Sequence, residues 1–592
     1  LYPLADEVSR TADLQIQRDG RWVTMARVQV DDSSYGGPLE DFGRWTAHFR
    51  LNDWDHSRDW DYRVVAAGGL AEYGGVIRKD PIDQTEIVVA SLSCNSNENH
   101  GPRQDIVDNL LAQDPDLLFF GGDQVYDHRF HLQSWLAFGR QFGELTRSRP
   151  TVTIPDDHDV GQGNLWGQGG IRSTTKGGED GGYIMDPRYV NSVQLAQTWH
   201  LPDAYDPTPI HQGIGVYYTS LRVGPIDFAI IEDRKFKTGP KGVLAPLVRK
   251  AGRVDEVTEE QAFDPTRVDV PEAQLLGDRQ LAFLRHWGQD WTGVEMKAVL
   301  SQTIFGHIGQ LSGPWIGPGG RDFDPQGGGK LVMDFDSNGW PQTGRNEALA
   351  EIRRCFAVML CGDQHLPTVA HLGINDFRDA GVAFASPAIM NVWPRRWAPF
   401  AERSAGDHPD PLIGDYIDGF GNKISMMAYA NATVQPRRND PATWGGLAEG
   451  YGLVRFDTES RTITMECWPR WVDVTIEDAW QYKHWPLTVT QREQYGREPI
   501  AYLPTIEVAG VDEPVVQVIH SASGELIYTK RWSGRIVDAH TFIEGDHTIR
   551  VGEQPGRMIE LSGVRSSREK TDRVIRVDMG GAEAWPAETL LK

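Results

Sequence analysis

Five apolar runs in this chain read as buried strands, and each ends on side chains that bind metal. EIVVASLSCN closes on Cys94, and DLLFFGGDQVYD closes on Asp123 and Tyr126. TVTIPDDHDVG delivers Asp157 and His158, IDFAIIEDRK delivers Asp233, and FAVMLCGDQH delivers Asp363 and His365. Open α/β sheets bind ligands at the C-terminal edge of their strands. Carboxylates converging with imidazole, thiol and phenol suggest a cluster of cations rather than one isolated ion.

The rest of the chain frames that edge. At 592 residues it exceeds one ordinary domain. Residues 1–82 alternate polar and apolar in short runs (LQIQRD, WVTMARVQV, DYRVVAA) and read as a small antiparallel β-sandwich. Pro81 in IRKDPIDQ breaks the pattern. Residues 83–490 change period. EIVVASLS, a helix in RQDIVDNLLAQ and DLLFFGG form a β-α-β unit, so the two strands should be parallel. Helices at HLQSWLAFGRQFGEL and QLLGDRQLAFLRHW, with strands MKAVLSQTIF and CFAVMLCG, make this region α/β. Gly-rich excursions such as GQGNLWGQGG and SGPWIGPGGRDF interrupt it. Residues 491–592 carry short strands (VVQVIHSAS, GELIYTKRW, HTIRVGE) and read as a second β-sandwich.

The net charge of −24 disfavours nucleic acid as a partner. Bound cations can still invert the field locally and admit an anionic substrate. No run of apolar residues is long enough to span a membrane, and no signal peptide is visible. Of the four cysteines, Cys355 and Cys361 lie in apolar sequence and read as buried thiols, whereas Cys94 sits at a strand end.

The clusters make chemical sense together. Asp123 follows Gly121 and Gly122, which permit close backbone approach, and its two oxygens suit a bridge between two cations. Tyr126 would return as a phenolate, and thiolate plus phenolate plus carboxylate fits ferric iron better than zinc. Asp156, Asp157, His158 and Asp159 crowd one turn, at a cost unless metal or solvent compensates. Asp157 is placed to ligate and His158 to act as a general acid. Taken alone, each cluster has an ordinary reading: a turn residue, a helix N-cap or a solvated loop. The joint pattern favours a metal site, catalytic or structural. No G-x-S-x-G elbow is present, and the spaced glycines of GQGNLWGQGG open no helix, which disfavours serine hydrolase and dinucleotide chemistry.

SCN, GGDQVY, DDHDV and CGDQH in this order resemble the alkaline phosphatase D (PhoD-like) branch of the calcineurin-like metallophosphoesterases. LLGDRQLAFLRHW and MDFDSNGWP add to the likeness, which spans roughly residues 20 to 470. The resemblance implies a two-layer β-sandwich flanked by helices, with the metal centre at strand ends. It implies Fe3+ held by Cys94, Asp123 and Tyr126, with His365 a further ligand, and one or two Ca2+ near Asp123, Asp157 and Asp363. Zinc or manganese are the alternatives. It implies His158 as catalytic acid, Asp233 near the metals and Arg234 on a phosphate oxygen. It also implies a secreted or periplasmic protein. The chain departs from the family at EDRK, and at Leu366, where many members carry a second histidine. The expected activity is hydrolysis of phosphate mono- or diesters. Phospholipase-type or sulfate-ester hydrolysis, and a secreted binding protein with a structural metal centre, are the alternatives.

Overall fold

The structure, a computed structural model, describes residues 9–30, 46–96, 101–128, 130–241, 243–244, 268–309, 311–312, 330–331, 333–399, 402–433, 445–553 and 557–580. Most of the SGPWIGPGGRDF excursion lies outside these residues.

The central region holds two mixed sheets packed face to face. From edge to edge the first runs Leu487–Thr490, Thr462–Pro469, Gly450–Asp457, Glu86–Asn95, Leu117–Phe120 and Thr151–Thr153, and Ala388–Met390 pairs with the end of Glu86–Asn95. The second runs Gly414–Ile417, Lys423–Tyr429, Thr368–Leu372, Val382–Ala385, Val358–Cys361, Met296–Leu300, Ile226–Ile230 and Thr219–Val223. Within each sheet, the strands that carry the candidate ligands run parallel to one another. Glu86–Asn95, Leu117–Phe120 and Thr151–Thr153 form one parallel set, and Ile226–Ile230, Met296–Leu300 and Val358–Cys361 form another.

These strands are apolar on both faces because both faces are covered. Ile87 and Val89 point into the layer between the sheets, where Leu117, Phe119, Phe228, Ile230, Leu300 and Leu360 meet them. Val88, Ala90 and Leu92 point outward beneath the helices Gln104–Gln113 and His131–Thr146 through Ile106, Leu110, Phe138 and Phe142. On the outer face of the second sheet, Val299 and Met359 pack with Phe283 and Trp287 of Gly277–Gln289 and with Leu349 of Gln342–Arg353. The region is therefore a two-layer β-sandwich flanked by helices, as the sequence implied.

Two smaller units flank this core. At the N-terminal end a sandwich was expected, and the described residues form a single antiparallel sheet of Arg21–Gln29, Thr11–Arg18, Trp60–Ala66 and Ala71–Ile77. After the core, a three-stranded sheet (Ile536–Val537, Thr505–Ala509, Val574–Asp578) and a four-stranded sheet (Leu526–Arg531, Val515–His520, Asp546–Val551, Ile559–Arg565) share the buried residues Ile506, Val518, Ile549 and Val577. Arg531 fastens this sandwich to the core by donating to the Trp291 carbonyl at 2.8 Å and the Val294 carbonyl at 2.5 Å. No described helix is long and apolar enough to cross a membrane.

Candidate metal centre

Two strand ends meet backbone to backbone, and a third packs against them. The Gly121 N–H donates to the Leu92 carbonyl, and the Cys94 and Asn95 N–H groups donate to the Gly122 and Asp123 carbonyls. Gly122 has φ of 110°, and a Cβ there would lie 2.6 Å from the Asp156 Cβ, so glycine lets the Asp123 and Asp156 segments touch. Cys94, Asp123, Asp363 and His365 all have positive φ, between 54° and 62°. Left-handed backbone at non-glycine residues is costly and clusters at functional sites. Here it turns each side chain off its strand end and toward the others.

Among the described residues the convergence produces three ligand groups, each with its atoms within 4.8 Å of one another: Cys94, Asp123 and His365; Asp123, Asp157 and His158; and Asp156, Asp157 and Asp363. Asp123 belongs to two of them. Tyr126 joins the first, its hydroxyl 3.0 Å from His365 Nε2 and within electrostatic reach of Asp123 and Cys94. Asp233 belongs to none. Its Oδ2 accepts from the Ser301 hydroxyl, the Thr303 N–H and Asn338 Nδ2, while its Oδ1 is buried without a hydrogen-bond partner.

The electrostatics of this cluster call for cations. Burial, then Asp156, Asp159 and Asp363, pushes the Asp123 carboxyl well above its ordinary range. Burial first, and neighbouring carboxylates with it, does the same to Asp156 and Asp157. Burial raises Asp336 to about 6, with Arg234 opposing. Burial, then Asp123 and Asp363, holds the Cys94 thiol far up. Asp363 is low, at about 2: burial raises it, and Arg234, Arg395, the Thr303 hydrogen bond and His365 together outweigh that burial. Carboxylates here outnumber the neighbouring cationic groups Arg234, Arg395 and Lys237. Asp233 Oδ1 and Asp336 Oδ2 are orphaned buried acceptors. Divalent or trivalent cations fit this donor set. Sulfur, phenol, imidazole and carboxylate surround one position, and carboxylates alone make up the group of Asp156, Asp157 and Asp363.

Arg234 lies inside the cluster rather than at its mouth. Its Nε and Nη2 donate to Asp156 at 2.7 and 3.1 Å, its Nη1 donates to the Asp336 carbonyl at 2.9 Å, and Asp336 Oδ1 and Asp363 Oδ2 lie 3.0 and 3.3 Å away. With the side chain fully enclosed, the contact to a phosphate oxygen expected from the sequence finds no free donor in this geometry. Arg234 instead holds three carboxylates in place. Leu366, where a second histidine is common, is buried in the apolar core.

His158 is held from two sides. Its Nδ1 lies 2.7 Å from His128 Nε2, and its ring stacks on Tyr126 with centroids 4.2 Å apart. Burial, then His128 and His365, lowers its pKa to about 3, so it is neutral in the metal-free cluster. His128 was not singled out by sequence, and neither were Asp159 and Asp336 as site residues. Asp159 accepts from the Asp123, Val125 and Asp156 N–H groups at 2.8–2.9 Å and thereby shapes both ligand turns. Asp159 was visible only as part of a crowded DDHD, and Asp336 only within MDFDSNGWP.

No family model matches the sequence, and no curated protein matches it. Among solved structures, the fold is similar to that of PhoD, with a TM-score of 0.52 and 14% identity over 81% of this chain and 83% of that one. A purple acid phosphatase, PPD1, from yellow lupin (Lupinus luteus) seeds gives a TM-score of 0.42 at 12% identity, over 82% and 70% of the two chains. A dimetal phosphatase from Danio rerio gives 0.28 at 10%, over 53% and 93%. The likeness to PhoD shows a PhoD-like fold.

Proposed function

We propose that this chain hydrolyses phosphate esters, as a phosphomonoesterase or phosphodiesterase, with cations held by Cys94, Asp123, Tyr126, Asp157, Asp363 and His365. Asp156 enters as a further ligand, and Asp233 as a nearby carboxylate. The observation that carries the reading is the convergence of three overlapping ligand groups at the C-terminal edges of parallel strands from two sheets. The group of Cys94, Asp123, Tyr126 and His365 suits ferric iron, and the carboxylate group suits calcium, with zinc or manganese as the alternatives. Bound cations would supply Lewis acidity toward the ester oxygens and a nucleophile at neutral pH.

The protein's own groups do the rest. His158 faces the cluster and delivers a proton to the departing oxygen, where negative charge develops. A dianionic ester beside it raises its proton affinity, which is the direction an acid needs. His128 at Nδ1 and the Tyr126 ring fix the imidazole, so its remaining nitrogen is the one presented. Arg234 keeps Asp156, Asp336 and Asp363 at fixed spacing. Strands apolar on both faces and helices on both outer layers exclude water from the cluster's base.

The test is hydrolysis of p-nitrophenyl phosphate and bis-p-nitrophenyl phosphate by metal-loaded protein. We expect a chelator to abolish it, and His158→Ala to lower turnover by ~10²–10⁴ with bound metal retained. Metal bound at full stoichiometry with no hydrolysis of phosphomonoester, diester, phospholipid or sulfate ester would make the centre structural and overturn the reading. Turnover of phospholipid or sulfate ester alone would move it to those substrates.

A further inference from the structure

We propose that Arg395 is the residue that receives the substrate's phosphoryl oxygens, a role that rests on the phosphoesterase reading above. Two arginines act on the carboxylate cluster, and they differ in what is left of them. Arg234 is fully enclosed and spent on Asp156, Asp336 and Asp363. The Arg395 side chain retains 13% exposure, and among the described residues its one ion-pair partner is Asp334, with Nη1 2.7 Å from Oδ2. That pair is poorly aligned, and neither atom forms a proper hydrogen bond. Asp334 lies two residues from Asp336, on the loop that meets Arg234 from the other side.

Arg395 is also fixed to the site by its own segment. The Trp393 carbonyl faces His365 Nδ1 at 3.1 Å, and Asn391 Nδ2 donates to the His365 carbonyl at 3.0 Å. The chain from Asn391 to Arg395 thus braces one candidate ligand and then presents a guanidinium over the rest. Arg395 acts electrostatically on Asp157, Asp363, His158 and His365, which span all three ligand groups. Once cations neutralise the carboxylates, its nearest unsatisfied attraction is an anion in the same space. A planar fork of N–H donors matches two oxygens of a tetrahedral oxyanion. The stem of Arg395 is shaped by Gly309, where a Cβ would lie 2.8 Å from the Arg395 Cδ.

Inorganic phosphate is the probe. Its dissociation constant is measured by calorimetry on the metal-loaded full chain, beside its inhibition of p-nitrophenyl phosphate hydrolysis. Arg395→Ala is expected to weaken phosphate binding and raise KM together, each by at least about 10-fold, with metal content unchanged and a smaller fall in kcat. Arg395→Lys should recover part of the loss. Gly309→Ala, which removes no charge, should weaken phosphate in the same direction by displacing the arginine stem. If wild type hydrolyses the ester but Arg395→Ala binds phosphate as wild type does, the role of Arg395 is overturned and the phosphoesterase reading stands. Parallel loss of metal and phosphate in Arg395→Ala, without recovery in Arg395→Lys, would make Arg395 a structural brace and also overturn it. Wild type that hydrolyses the ester but binds no phosphate likewise overturns the role of Arg395 alone, whereas wild type that hydrolyses no ester overturns both.

Discussion

Replacing Gly362 by alanine tests how closely the two sheets must approach for the metal centre to form. Gly362 precedes Asp363, and its N–H donates to the Gln302 carbonyl at 2.8 Å. A Cβ built there would lie 2.3 Å from the Ser93 Cβ and 2.5 Å from its Oγ. Ser93 cannot yield alone, because it sits in a fully paired strand one residue before Cys94. Non-bonded carbons rest at about 3.5–4.0 Å, so the strands must separate by roughly 1–2 Å. Ligand positions tolerate about 0.2 Å, and a displacement of about 1 Å can cost ~10²-fold in rate. The overpacking itself should cost ~1–3 kcal/mol. The assay is metal content per chain, kcat/KM on a chromogenic ester and the denaturant midpoint. We expect all three to fall, with kcat/KM lower by about 10²-fold or more. The control is Gly139→Ala on an exposed helix face with nothing within 4 Å, which should gain up to about 1 kcal/mol. Wild-type metal content and turnover in Gly362→Ala would refute the idea that sheet approach sets the ligand geometry.

Asp159→Asn leaves one acceptor oxygen for three backbone N–H groups and should lower stability by ~2–3 kcal/mol, read as a shifted denaturant midpoint; an unshifted midpoint would show that these contacts carry little. In chelator-treated protein, Asp159 is raised by burial from 3.8 to about 7, and Asp336 from 3.8 to about 6. Their contribution to stability is full below about pH 4 and is lost as pH rises through 6 to 7, so unfolding of the metal-free protein should become easier across that window. A metal-free midpoint that rises with pH there would contradict this sign. Metal addition near pH 7 should release protons into weak buffer, measurable with an indicator dye. If ferric iron sits with Cys94 and Tyr126, the protein is coloured as isolated, and Tyr126→Phe and Cys94→Ser shift the visible band. A colourless, active protein containing only zinc would remove iron from the assignment.

The sequence carried the strands and their ligands because both signals are local. Strand residues covered on both faces leave an unbroken apolar run, and the side chain that follows it lies at the sheet edge. The roles of the arginines were not legible. Arg234 follows Asp233 in EDRK, but what fixes its function is Asp156, Asp336 and Asp363, three carboxylates scattered along the chain and joined only by the fold. Arg395 sits in WPRRW, which follows no apolar strand run that ends on metal ligands and so carries no local signal of the site. The strands Gly450–Asp457 and Thr462–Pro469 also gave no clear signal of belonging beside Glu86–Asn95, because antiparallel pairing across that distance has no sequence period. The single N-terminal sheet could not be told from a sandwich, since alternation reports one covered face and not what covers it.

The origin of the ligands in two different sheets has a consequence for how the protein is made. Cys94 and Asp123 end strands of the first sheet, while Asp363 and His365 follow a strand of the second. Neither sheet alone holds a complete ligand group with both Cys94 and His365. The loops that must close before these residues meet are long, and such closure is slow relative to local structure formation. On the proposed reading, metal capture by the group of Cys94, Asp123 and His365 would be a late event that reports the docking of one half of the core on the other. A chain whose sheets have formed but not yet joined exposes an apolar inner face and an oxidisable, unprotected Cys94 thiol. Cations bound there would act as a latch on the closed sandwich, lowering the population that reopens and making the lifetime of the folded state depend on metal supply.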